Sequence, residues 1–150
     1  MAGVFRHQHR VTYAECTVGN HVYYARYLDL LETARSEFFR TLGTPMLEWQ
    51  TRGVIFPVIE ARLRYQAPAR YDDVLTLAIA VTKAERARLN FEYRIENQSG
   101  IKILAAETFH VCAGLNDKPR RLPEELIASL QPFLKPLERA DVREGVFEQS

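Results

Sequence analysis

Few residues in this chain combine a reactive side chain with spacing that means something, and most of them fall between positions 15 and 35. His21 offers an imidazole whose ordinary pKa of about 6.5 suits proton transfer near neutrality, although it reads equally well as a hydrogen-bonded structural histidine. Glu32 and Arg35 stand three residues apart, so on a helix a carboxylate and a guanidinium share one face, either as working groups or as an ordinary ion pair. Lys118, Arg120 and Arg121 form the densest basic cluster. Arginine matches phosphate oxygens bidentately, so this cluster suits a phosphorylated ligand, or else it is a solvated loop. Arg86 and Arg88 offer the same chemistry with less support. Cys16 and Cys112 have no neighbours that would lower a thiol pKa, and neither is expected to be a nucleophile. His7 and His9 share one strand face, but no cysteine or carboxylate cluster completes a zinc set, so no metal is expected.

These groups need a scaffold, and the periodicity supplies one. Phe5 to Tyr13 alternates with a period of two, which predicts a strand, and Gly19-Asn20 marks a turn after it. From Tyr24 the period changes. Tyr24, Tyr27, Leu28, Leu31, Ala34, Phe38 and Leu42 recur at helical steps, and Gly43 followed by Pro45 ends the run. Tyr27 sits on the apolar stripe and reads first as core. Four alternating runs follow, over 59–65, 75–81, 89–95 and 101–113, with Asn97 to Gly100 as a hairpin turn between the last two. Pro57 places the start of the first run at an edge or a kink. A slip in phase at Ala105-Ala106 predicts a bulge. Pro123 opens a short terminal helix through Leu130. Strand, long helix and four successive strands make the class α+β, with meander pairing and the helix on one sheet face. Residues 1–135 are expected to form one domain and 136–150 a loosely attached tail.

The chain's 150 residues are 47% hydrophobic and 26% charged, which excludes intrinsic disorder. Its 20 Lys plus Arg against 19 Asp plus Glu leave a net charge of +1, which argues against a nucleic-acid or membrane-surface binder. No run approaches the roughly 18 apolar residues of a membrane span, and Met1 to Arg10 lacks the apolar core of a signal peptide. A cytoplasmic location is expected.

The run from Val11 to Leu28, VTYAECTVGNHVYYARYL, resembles the signature of the hotdog-fold acyl-CoA thioesterases of the 4-hydroxybenzoyl-CoA thioesterase type. That signature places Asp-x-Asp before a glycine turn and Val-x-x-x-x-Tyr-Leu at the start of a helix. The helix segment Leu31 to Arg40 is similar to the same family's Glu-x-Ala-Arg-x-Glu, and Phe109 to Val111 with Lys118 to Pro123 resembles its last strand and following loop. The resemblance implies a curved antiparallel sheet of about five strands wrapped around the long helix, and subunits assembled as dimers or as homotetramers built from dimers. It implies a small or medium acyl thioester as substrate, with coenzyme A part of that substrate and no separate cofactor.

Thioester hydrolysis needs donors for a developing oxyanion and something to activate water. The resemblance assigns the first role to the backbone N–H of Tyr24, at the start of the helix with Val22 and Tyr23, where amides lack intrahelical partners. It places the family's catalytic carboxylate at Thr17 and the first Asp at Glu15. A hydroxyl has no carboxylate-like state near neutral pH, so Glu15, His21 or Glu32 is a candidate replacement. Thr17 also suits the N-cap of a turn. The enediyne polyketide thioesterases, a hotdog subgroup lacking the acid, resemble this chain at Val18-Gly19-Asn20, Tyr27 and Arg35. The catalytic candidates are therefore Thr17, His21, Tyr24, Tyr27, Glu32 and Arg35, and the substrate-binding candidates Glu15, Asn20, Lys118, Arg120 and Arg121. Three activities stay open: acyl-CoA hydrolysis, release of an acyl or polyketide chain from a carrier protein, and thioester binding without cleavage.

Overall fold

The structure, a computed structural model, describes residues 3–134. The tail expected over 136–150 lies outside the described residues. Strand β1 (Phe5–Arg10) leads through a 3-10 turn at Tyr13–Glu15 into a two-stranded ribbon, β2 (Cys16–Thr17) and β3 (His21–Val22). Helix α1 (Arg26–Thr41) and short helix α2 (Met46–Thr51) follow, then β4 (Val58–Tyr65), β5 (Val74–Glu85), β6 (Arg88–Glu96), β7 (Lys102–Val111) and α3 (Glu124–Leu130). No helix among the described residues is long and apolar enough to cross a membrane.

The main sheet has five strands in the order β1-β5-β6-β7-β4, all antiparallel. The simple meander expected from four successive strands holds only for β5, β6 and β7. β4 pairs with β7 instead of β5, so the 66–73 connection runs from the β4 edge across to β5, the strand next to the β1 edge. That connection crosses the N-terminal end of α1, where the Ala69 carbonyl accepts from the Val22 amide at 2.9 Å and the Ala69 amide donates to the Tyr27 hydroxyl at 3.3 Å. Two edges are thus drawn around one helix.

The apolar stripe of α1 faces the sheet as its period requires. Leu31, Ala34 and Phe38 are fully buried, against Leu75, Leu77 and Ile79 of β5 and Leu89, Phe91 and Tyr93 of β6. The Phe38 ring meets Phe91 edge-on at 6.3 Å and Phe133 at 4.9 Å, which fixes the helix against the sheet. α1 stops where Gly43 turns to φ +102°, a left-handed conformation open to glycine at little cost.

The bulge expected at Ala105-Ala106 is absent: those residues stay in step with Arg94 and Tyr93. Register shifts occur instead at Val58/Glu60, Val81/Lys83 and Ile95/Glu96. The sequence loses its alternation because residues 103–108 of β7 are buried on both faces. On the outer face Glu92 and Glu107 stand directly opposite one another, buried, with Arg62 across from Glu107.

Phe38→Ala removes the ring that joins α1 to the sheet. It should destabilise the fold by about 4 kcal/mol, read as a lower urea midpoint with unchanged slope.

Candidate active site

The first turn of α1 is wound as 3-10, and that decides which backbone donors stay free. Arg26 N–H bonds the Tyr23 carbonyl at 2.8 Å, Tyr27 N–H the Tyr24 carbonyl at 3.4 Å and Leu28 N–H the Ala25 carbonyl at 3.2 Å. Just upstream, Val22 N–H goes to Ala69 and Tyr23 N–H to the Glu15 carbonyl at 2.9 Å. Among the described residues nothing accepts from the amides of Tyr24 and Ala25. A trans peptide points its N–H opposite to its C=O. With the Tyr23 and Tyr24 carbonyls turned down the helix, both free amides project from its N-terminal end. The Tyr65 hydroxyl, donating to the Tyr24 carbonyl at 3.0 Å, holds that orientation. The expected start at Tyr24 is therefore corrected: α1 begins at Arg26, Val22 and Tyr23 have committed amides, and the donors are Tyr24 and Ala25.

The ribbon before the helix carries Thr17. A turn from Thr17 to Asn20 closes it, with Asn20 N–H on the Thr17 carbonyl at 3.1 Å and Gly19 at φ +86° in the position where a type II turn needs a positive φ. Register pairs Cys16 with Val22 and Thr17 with His21. Directly opposed residues of an antiparallel pair share a face, so Val22 points into the core while Thr17 and His21 both face outward and are exposed. The ribbon is anchored to the 69–71 segment: Tyr71 N–H donates to Asn20 Oδ1 at 3.1 Å and the Arg70 guanidinium to the Gly19 carbonyl at 3.3 Å. Between ribbon and segment lies an open groove of about 700 Å³, walled by Thr17, Val18, Gly19 and Asn20, with Cys16 at its side and Tyr13 and Tyr71 edge-to-face at 5.7 Å.

Other candidates land elsewhere. Glu15 is fully engaged: both carboxylate oxygens lie within 2.9 Å of His9 Nε2, and Oε1 also accepts from the Thr12 amide at 2.7 Å. Burial works against its charge, but the Thr12 and His9 hydrogen bonds outweigh it and hold the carboxyl below its usual range. Its observed partners are the chain's own groups. Tyr27 is buried, its hydroxyl accepting from Ala69. Glu32 is exposed, and no ion pair joins it to Arg35 among the described residues, because Arg35 turns inward to Tyr93. Lys118, Arg120 and Arg121 follow β7 beside Gly53, whose carbonyl accepts from Arg120 at 3.4 Å. That is the C-terminal end of α1, about 24 Å from its start at 1.5 Å per residue. Leu122 N–H bonds the Arg86 carbonyl at 2.7 Å, so the loop adjoins a second hollow of about 500 Å³ walled by Lys83, Glu85, Arg86 and Arg88. The basic groups thus gather at one end and the free amides at the other. Burial raises both thiols, Cys16 further through the charges of Glu15 and Asp73, so neither is primed as a nucleophile.

Under α1 the structure reveals a polar chain that periodicity hides. His110 Nδ1 lies 3.0 Å from the Phe56 carbonyl and must donate, so in the neutral ring Nε2 accepts from the Thr108 hydroxyl at 2.9 Å. Thr108 Oγ1 in turn accepts from the Tyr93 hydroxyl at 2.5 Å, and Tyr93 accepts from Arg35 at 3.0 Å. All four links run in one sense. Burial, opposed by the Phe56 bond and reinforced by Arg35, lowers His110 to about 4.

Comparison with known proteins places the chain in a family. Residues 19–104 match the family model described as the thioesterase superfamily. The chain belongs to the thioesterase superfamily. It is 33% identical over 129 residues to the acyl-CoA thioester hydrolase YbgC of Escherichia coli, covering 85% of this chain and 96% of that one. It is 27% identical over 127 residues to the 1,4-dihydroxy-2-naphthoyl-CoA hydrolase of Thermosynechococcus vestitus, covering 83% and 87%. The crystal structure of the hypothetical protein TT1821 from Thermus thermophilus superposes with a TM-score of 0.79 at 31% identity, over 84% and 96% of the two chains. In this superfamily member, as in its relatives, the fold is the hotdog: one long helix inside a curved antiparallel sheet.

A histidine buried neutral penalises the folded state in acid. The unfolded ring takes its proton near pH 6.5 and the folded ring only near 4, so acid between those values favours unfolding. The stability contributed is complete above pH 6.5 and should fall by about 3 kcal/mol as pH drops to 4. Urea unfolding of the wild type against His110→Gln over this range should show a shallower slope in the variant, the remainder coming from carboxyls such as Glu15.

Proposed function

We propose that this protein hydrolyses small or medium acyl-CoA thioesters by direct attack of water. The observation that carries the reading is the pair of unpaired amides, Tyr24 and Ala25, projecting from the N-terminus of α1, which follows directly on the ribbon that carries Thr17. When water adds to a thioester carbonyl, its oxygen gains a full negative charge. Fixed N–H donors at a helix N-terminus, where the macrodipole adds about half a positive charge, stabilise that charge without having to reorganise. The names carried by relatives, acyl-CoA thioester hydrolase and 1,4-dihydroxy-2-naphthoyl-CoA hydrolase, support the reaction class. Thr17 stands where the resemblance puts a carboxylate, and its hydroxyl would hold the attacking water by hydrogen bonds. Lys118, Arg120 and Arg121 would receive the CoA phosphates.

The distance between free amides and basic loop bears on assembly. Within one chain they lie at opposite ends of α1, so we propose a homo-oligomer in which the basic end of one copy meets the groove of another. The exposed edge of β4, with Val58, Ile59 and Tyr65 open to solvent, supports such pairing. Charge reversal at Arg120 and Arg121 should then raise KM for acyl-CoA at least ten-fold, with kcat changed little.

Tyr24 occupies the second position of the Tyr23–Arg26 turn, whose third residue, Ala25, has φ −72° and ψ −20°. That is a type I turn, and proline is favoured at its second position. Tyr24→Pro therefore deletes the amide donor and keeps the turn. Relative to Tyr24→Ala, which loses only the ring, it should lower kcat about 100-fold, scored as free thiol released from benzoyl-CoA and hexanoyl-CoA. Equal rates in the two variants would remove the amide from the mechanism. The same assay against the corresponding acyl-carrier-protein thioesters tests which carrier is used.

A further inference from the structure

Water attack needs a group to take the proton, and the groups around the groove narrow the choice. Glu15 has its carboxylate bonded to His9 and the Thr12 amide. The Cys16 thiol donates to the Thr12 carbonyl at 3.7 Å and is held protonated by burial and nearby carboxylates. Asp73 accepts from the Arg70 amide and the Gln98 side chain. Asn20 and Arg70 bind the chain itself. Tyr23 and Tyr24 interact with each other, and that contact raises Tyr23. Tyr13 and Tyr71 pack edge to face in the groove. The titratable side chain left beside Thr17 is its cross-strand partner, His21.

We propose that His21 and Thr17 act as a pair in which the imidazole is the general base and the hydroxyl positions its water; this rests on the hydrolase reading above. Register sets the geometry. Thr17 and His21 are direct cross-strand partners, which sets their Cβ atoms about 5 Å apart on one face of the ribbon. Both side chains are exposed, and that face has no other layer on it within the described chain. A single water fits between a hydroxyl and an imidazole nitrogen so separated. Gly19 matters here as well. A Cβ at that position would meet His21 Nε2 at 3.9 Å, an ordinary contact distance, which places this nitrogen over the turn. Among the described residues no hydrogen bond or ion pair engages the His21 ring, which leaves its lone pair available. The charged groups nearest the ribbon, Arg70 on the turn and Glu15 at its base, are bonded to the Gly19 carbonyl and to His9.

The step balances. His21 takes one proton from the water while the hydroxide oxygen bonds to the thioester carbon, and the carbonyl electrons move onto the oxygen facing the Tyr24 and Ala25 amides. The intermediate collapses by re-forming the carbonyl and breaking the carbon–sulfur bond. The imidazolium returns its proton to the departing CoA sulfur, leaving a carboxylic acid and a free thiol. No oxidant, metal or further reactant is required.

The test is kcat and KM against pH for benzoyl-CoA and hexanoyl-CoA, with far-UV circular dichroism as the folding check. The expected result is that His21→Gln lowers kcat at least 100-fold, leaves KM within about three-fold and removes the acidic limb of the rate profile. Added imidazole should restore part of the rate to His21→Ala, which a structural role would not allow. Thr17→Ser should keep most of the rate and Thr17→Val lose it. The double variant Thr17→Asp, His21→Gln should recover turnover with its acidic limb moved into the carboxylate range. Should the wild type hydrolyse either thioester while His21→Gln keeps both rate and acidic limb, the pairing is overturned and the hydrolase reading survives. Should the wild type release no thiol from either, the hydrolase reading falls and takes the pairing with it.

Discussion

Peptide planarity at the start of α1 constrains this molecule more than any side chain does. The carbonyls of Tyr23 and Tyr24 are spent on the first helical turn, so their peptides have no freedom to rotate. The amides on the other side of those planes are left outside the helix and aimed together. Four anchors keep this geometry: the Ala69 carbonyl on Val22, the Glu15 carbonyl on Tyr23, the Tyr65 hydroxyl on Tyr24 and the Phe38 contacts that seat the helix. Each comes from a different part of the chain. A donor pair built this way is rigid before any ligand arrives, and that is the property catalysis of acyl transfer rewards.

The sheet has a second task besides holding the helix. Across its inner face runs a polar chain from Arg35 of α1 through Tyr93 and Thr108 to His110, which is satisfied at every link. Satisfied buried networks specify one packing, because any shift in register would orphan several donors at once. A neutral His110 is what allows the chain to run in one sense, since a protonated ring would have no acceptor to offer Thr108. The polar chain and the free amides thus serve different ends, the former setting how α1 lies and the latter what its tip presents.

Cross-strand geometry explains how a hydroxyl comes to stand at position 17. In sequence, Thr17 and His21 are four residues apart with a glycine turn between, and nothing in that spacing says they face the same way. Once the turn closes they do. Glu15, nearer to Thr17 in sequence and acidic, is turned away and clamped by His9. The side chain that shares a face with Thr17 is thus the imidazole four residues on, and not the carboxylate two residues before it.

Periodicity alone settled the elements: α1, the strands β1 and β4–β7 and the terminal helix all follow from where apolar residues recur, because burial on one face imposes that recurrence. The motif from Val11 to Leu28 sufficed for the family. Helix α2 escaped, being six residues long with only Trp49 buried. What folding alone decided is a matter of long-range pairing. It put β4 beside β7, kept β7 in register where alternation fails, took Arg35 from Glu32 to Tyr93, and separated the basic loop from the helix tip by the length of α1. Local sequence carries the preference of each residue for a face, but which faces meet depends on partners tens of residues distant, and only the closed sheet brings those together.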